Sequence, residues 1–125
     1  MKKKVFVVDD ESLIATLIET AMAEDYEINH IATGKGCLDR LTRERPDLMF
    51  VDMHMPEMDG LEVVAKMRRS PQLADIPVVI MSANTSEFER NLVLAQNIQG
   101  YVAKPLNYND LHKVVGQISK PAPRF

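Results

Sequence analysis

Short apolar runs alternate five times with segments of helical period, and that alternation limits the fold more than any other feature of the chain. Val5–Val8, Leu48–Val51, Ile76–Met81 and Gly100–Ala103 are compact runs with little polar alternation. Such runs read as strands buried on both faces. Glu27–Ala32 mixes polar residues into the same pattern and is expected nearer a sheet edge. The segments between carry helical stripes. Glu11–Glu24 offers Leu13, Ile14, Leu17, Ile18 and Ala21, with Asp10 as the expected N-cap. Thr33 opens a second helix through Cys37, Leu38 and Leu41 that Pro46 stops, and Gly36 weakens it by about 1 kcal/mol relative to alanine. Gly60–Arg69 turns Leu61, Val64 and Met67 inward. Ser86-Glu87-Phe88-Glu89 fits a capping box and starts a helix to about Gln96, closed by a left-handed Asn97. Asn107–Ser119 presents Leu111, Val114, Val115 and Ile118. Strand-then-helix repeated in this way demands right-handed crossovers and a parallel sheet covered on both faces, an α/β fold. Ligands of such sheets lie outside the carboxyl ends of the strands.

That edge is where the chemistry-bearing residues fall. Asp9 and Asp10 follow the first strand, Asp52 the third, Ser82 the fourth and Lys104 the fifth. Acids delivered from two strands to one edge make a pocket that attracts a divalent cation and handles phosphate. Solvated acids at a helix start are the plainer reading of Asp9-Asp10 alone, and Asp52 on a neighbouring strand weighs against it. Three converging carboxylates repel, which raises at least one pKa and makes the metal-free site locally unstable. His30, His54 and His112 show no metal-ligand spacing, which argues against zinc. Met49, Met53, Met55, Met58 and Met81 read as core filling or a soft docking surface.

Bulk properties remove other classes. The chain has 125 residues, 46% hydrophobic and 26% charged, which fits one ordered domain. Residues 1–119 are expected to form it, with 120–125 as a tail or the start of a linker. The net charge of -3 argues against a direct nucleic-acid face. A lone cysteine, Cys37, fits a reducing compartment. The basic start, Met1-Lys2-Lys3-Lys4, is followed by too short an apolar run for an export signal, and no membrane span is seen. A cytoplasmic location is the expectation.

Val7-Val8-Asp9-Asp10-Glu11, Val51-Asp52-Met53-His54-Met55-Pro56-Glu57-Met58-Asp59-Gly60, Met81-Ser82-Ala83 and Tyr101-Val102-Ala103-Lys104-Pro105 together resemble the receiver domain of two-component response regulators. The resemblance runs from residue 2 to about 119. It implies a flavodoxin-like, three-layer, doubly wound sheet of five parallel strands in order 2-1-3-4-5, with five helices. It implies that a sensor histidine kinase or phosphotransfer protein passes a phosphoryl group to Asp52. Mg²⁺ would be held by Asp10 directly, by Asp9 largely through water, by Asp52 and by the backbone carbonyl of His54. Lys104 would pair with phosphoryl oxygens, aimed by a cis peptide to Pro105. Ser82 would hydrogen-bond the phosphoryl group, Ala83 would leave room for it, and Tyr101 would turn inward as the hydroxyl moves. The side chain of His54 would overhang the pocket. The product would be a phosphoacceptor that catalyses its own phosphorylation and slow dephosphorylation, not an enzyme in the usual sense. A downstream protein or output domain would read the fourth helix, fifth strand and fifth helix.

A homodimer formed on phosphorylation is a further implication, although Asn97-Ile98-Gln99-Gly100 lacks the acids usual where such dimers form. Two other functions compete. A haloacid-dehalogenase-like Mg²⁺ phosphatase also uses a strand-end aspartate, but its nucleophile normally follows the first strand and its second acid would fall at His54. A pseudo-receiver would keep the fold as an interaction module without the chemistry.

Overall fold

The computed structural model describes residues 2–84 and 86–119; the tail expected over 120–125 lies outside the described residues. The elements run β1 (Lys3–Val8), α1 (Ser12–Met22), β2 (Tyr26–Ile31), α2 (Gly34–Arg40), β3 (Leu48–Asp52), α3 (Gly60–Arg68), β4 (Val78–Ser82), α4 (Glu87–Leu94), β5 (Gly100–Ala103) and α5 (Tyr108–Ser119). All strand pairs are parallel, in the order β2-β1-β3-β4-β5, as the resemblance implied. β2 is an outer strand, in keeping with its mixed polarity.

Strand side chains alternate between two cores. Phe6, Val8, Met49, Val51, Val78 and Ile80 face α2, α3 and α4, meeting Cys37, Val63, Val64, Met67 and Val93. Val5, Val7, Phe50, Val79, Met81 and Val102 face α1 and α5, meeting Ile14, Ile18, Met22, Leu111 and Val114. Both faces of the central strands are therefore dry, which explains why β1, β3 and β4 read as unbroken apolar runs. Met49, Met53, Met55 and Met81 are buried, so the methionines near the carboxyl edge fill core space.

Local differences have local causes. α1 buries Ile14, Ala15, Ile18 and Met22, while Leu13 and Leu17 face outward at 64% and 42% exposure. The apolar stripe is wider than the buried one, and only half of it meets the sheet. Asp10 does not cap α1. Glu11 holds the cap position without a side-chain bond, and its N–H donates to Asp9 Oδ1 at 2.9 Å. α3 buries Val63 with Val64 and Met67, and Leu61 is only half-buried. Thr33 and Ser86 cap α2 and α4, and Asn97 has φ 58°.

Arg68 fastens the amino ends of β4 and β5. Its Nη1 donates to the carbonyls of Ala74 at 3.1 Å and Ile76 at 3.0 Å, and its Nε to that of Gln96 at 3.2 Å. Its Nη2 reaches Gln99 Oε1, which also accepts from the Val78 N–H at 2.8 Å. Among the described residues no helix is long and apolar enough to cross a membrane.

Candidate functional site

β1, β3, β4 and β5 end at one rim, and their last residues set the site. Val8 pairs with Val51, Asp52 with Met81 and Ser82 with Ala103. The ladder continues one step beyond the strands through Asp9 N–H to Ile31 O at 3.1 Å and Lys104 N–H to Ser82 O at 2.8 Å. Asp9, Asp52, Ser82 and Lys104 are thus placed by backbone bonds rather than by loops.

Asp9, Asp10 and Asp52 each present an oxygen within 4.8 Å of the others. Asp9 is fully buried, Asp52 is 4% exposed, and Asp10 faces solvent. Lys104 Nζ lies 2.8 Å from Asp9 Oδ2 and 3.3 Å from Asp52 Oδ1. Asp9 therefore has both oxygens engaged, one by the lysine and one by the Glu11 N–H. His30 Nε2 donates to the Asp9 carbonyl at 2.7 Å and steadies the same turn from β2. The His54 N–H reaches Asp52 Oδ1 at 3.3 Å. The Lys104–Pro105 peptide is cis.

The electrostatics follow from this crowding. Burial, and then the charge of Asp9, raise the Asp52 carboxyl above its ordinary range, against the pull of Lys104 and the His54 N–H. Burial acts to lower Lys104, but the Asp9 hydrogen bond and the charges of Asp52 and Asp9 outweigh it and hold the ammonium above its usual value. Three hard oxygen donors at one mouth fit a small divalent cation such as Mg²⁺, which takes a few carboxylates and completes its shell with water or phosphate oxygens.

The turn after β3 is shaped by Gly60. A Cβ there would collide with the backbone carbonyl of Asp52, and the Gly60 N–H donates to Met53 O at 2.9 Å. The start of α3 therefore packs directly on the Asp52 peptide. Asp59 caps that helix, its side chain accepting from the Glu62 N–H at 2.9 Å. Glu57 takes up the left-handed conformation in the same turn, at φ 67°.

Ser82 is fully buried, with its Oγ 2.6 Å from Glu89 Oε1 and 2.9 Å from the Asn84 carbonyl. Its oxygen accepts from the Asn84 N–H at 3.1 Å. Tyr101 is half-buried, and its hydroxyl donates to the same Asn84 carbonyl at 2.9 Å. Ala83 is exposed beside the pocket. Glu89 was not read from the sequence as a site residue. The capping-box reading assigned its carboxylate to the Ser86 N–H, but that N–H donates to Asn84 Oδ1 at 3.0 Å instead. The Ser86 half of the box forms, with Oγ accepting from the Glu89 N–H at 3.2 Å, and the Glu89 carboxylate turns inward. His54 Nε2 stands 3.1 Å from its other oxygen, so the His54 side chain is turned toward α4.

Known proteins resemble this chain in sequence and in fold. The chain is 30% identical over 119 residues to the alkaline phosphatase synthesis transcriptional regulatory protein PhoP of Bacillus subtilis, covering 94% of this chain and 49% of PhoP. The chain therefore spans about half the length of that curated relative. The chemotaxis response regulator CheY4 of Vibrio cholerae superposes with a TM-score of 0.86 at 27% identity, over 94% of this chain and 99% of CheY4. The phosphorylated cyanobacterial phytochrome response regulator RcpA superposes with a TM-score of 0.81 at 29% identity, over 94% of this chain and 91% of RcpA. The family description "response regulator receiver domain" matches residues 5–116, and the chain belongs to that family, a component of two-component signalling.

Proposed function

We propose that this receiver accepts a phosphoryl group on Asp52 and uses it to switch the surface formed by α4, β5 and α5. The observation that carries the reading is Lys104 Nζ seated between Asp9 and Asp52 at the mouth of the three-acid cluster. An ammonium beside a strand-end carboxylate can balance the charge that an incoming phosphoryl group brings. RcpA, at 29% identity, is described in its phosphorylated form, which supports the same chemistry here.

An Asp52 oxygen attacks the phosphorus of a phosphohistidine on a sensor kinase or phosphotransfer protein. The new O–P bond forms as the donor N–P bond breaks, and the imidazole leaves with that electron pair. Asp10, Asp52 and the backbone carbonyl of His54 would hold Mg²⁺ directly. Asp9, with both oxygens already engaged, acts through water. When bound, the ion offsets the repulsion between carboxylate and phosphoryl oxygens. Lys104 shifts from the two acids toward the phosphoryl oxygens. Water later attacks phosphorus, the Asp52 O–P bond breaks, and inorganic phosphate leaves slowly as the carboxylate is restored.

Ser82 Oγ accepts from the Asn84 N–H and Tyr101 donates to the Asn84 carbonyl, so drawing the Ser82 hydroxyl toward a phosphoryl group disturbs the backbone that Tyr101 holds. This supports a population shift in which the phosphorylated pocket favours a rearranged β4–α4 loop and an inward Tyr101. Phe88 and Leu92, exposed on α4, lie on the surface a downstream protein or output domain reads. A homodimer on phosphorylation is a second use of that surface. The place of action is cytoplasmic.

The test is incubation with a small phosphodonor and Mg²⁺, followed by intact mass. One added phosphoryl group is expected on the parent and none on Asp52→Asn. Equal labelling of the two would remove the assignment.

A further inference from the structure

Glu89 is a carboxylate where the fold has little use for one. It is 7% exposed, sits in the first turn of α4, and is not part of the acidic cluster. Burying an ionised carboxylate is costly unless its oxygens find donors. Here each oxygen has one: Ser82 Oγ at 2.6 Å on Oε1 and His54 Nε2 at 3.1 Å on Oε2. Both donors come from the rim of the phosphoacceptor pocket, one from the end of β4 and one from the turn two residues past Asp52. α4 is thereby clasped to that rim through a single side chain.

The hydroxyl of Ser82 has one proton. In this structure the shorter contact, to a carboxylate, claims it, and such charge-assisted bonds are about twice as strong as neutral ones. The other acceptor in reach, the Asn84 carbonyl, is neutral, stands farther off at 2.9 Å and also accepts from the Tyr101 hydroxyl. We infer that Glu89 is a positioning residue that holds Ser82 away from Asp52, so that this receiver switches only by pulling the hydroxyl off a buried carboxylate. The inference rests on the phosphoacceptor reading above and adds a resting-state restraint to it. Once Ser82 leaves, Oε1 is unpaired in a dry site, and the first turn of α4 has to move to restore its partners. Release of the hydroxyl and displacement of α4 are then one event. Phe88, on the same turn and largely exposed, moves with it.

The experiment is a double-mutant cycle on the full chain with Mg²⁺, reading the beryllofluoride concentration that half-saturates the amide shifts of α4. The variants are Glu89→Ala, Ser82→Ala and the pair together, with thermal melts run alongside. Glu89→Ala is expected to lower the midpoint about tenfold when Ser82 is present. In the Ser82→Ala background the same change is expected to move it by no more than about twofold. Glu89→Gln keeps the size and a neutral acceptor, so it falls between parent and alanine; it also carries the cycle if Glu89→Ala does not fold. An effect of equal size in both backgrounds overturns the inference, because Glu89 would then act through its charge alone. So does an unchanged midpoint in Glu89→Ala. A parent that neither responds to beryllofluoride nor takes label on Asp52 overturns the phosphoacceptor reading itself. A responsive parent with a flat cycle removes the restraint and leaves that reading standing.

Discussion

Asp52 is held under stress that its neighbours only partly relieve. Its carboxyl is raised by burial and by Asp9, so the fold favours the neutral acid. In the unfolded chain the group ionises near its ordinary value of about 3.9. As pH climbs past that point the unfolded state gives up its proton first, and stability falls until the native carboxyl has also ionised. Above both values the deficit is complete. Asp52→Asn is therefore expected to raise the melting temperature by a few degrees at pH 7 without divalent ions. The gain should vanish below about pH 3, where both states of the parent are protonated. Calorimetric melts at the two pH values check this, and a gain that ignores pH would point to packing. Lys104 has the opposite sign: its raised ammonium stabilises the fold throughout the acidic and neutral range and stops doing so only when strongly alkaline pH removes its proton.

Among the elements, the turn from β3 into α3 has the least room for change. The Asp52 carbonyl fills the space a side chain at position 60 would need. Gly60→Ala is expected to cost about 1–3 kcal/mol in denaturant unfolding, as overpacking does. It should also weaken the beryllofluoride response, because the displaced atom belongs to the peptide of Asp52, the proposed phosphoacceptor. The need for glycine there can be suspected from the Asp59-Gly60 pair, but its cause is a contact across the turn that no spacing rule reports. The buried strands were plain in the sequence because both faces are dry, and with them the rim that gathers Asp9, Asp10, Asp52, Ser82 and Lys104. The orientation of α1 was not plain, since Leu13 and Leu17 extend an apolar stripe that the sheet only partly covers. Glu89 was hidden for a different reason. An acid in a first helical turn already has a local explanation, and only the Asn84 side chain, by occupying the Ser86 N–H, frees it to turn inward.

For the molecule as a whole, the acidic rim is a stability deficit that a ligand can relieve. A cation that binds the native but not the unfolded chain adds about 2.7 kcal/mol at a hundredfold excess over its dissociation constant. Mg²⁺ is expected to raise the parent's melting temperature accordingly and to do much less for Asp10→Asn, whose side chain faces solvent and whose loss leaves the core intact. Equal shifts in the two proteins would place the ion elsewhere. The opposite rim has no such dependence. There Arg68 gathers the carbonyls of Ala74, Ile76 and Gln96, and Gln99 ties β4 to the approach of β5. With β4 and β5 anchored at that end, a pull at their carboxyl tips is expected to be taken up by the loops and α4 rather than spread along the sheet.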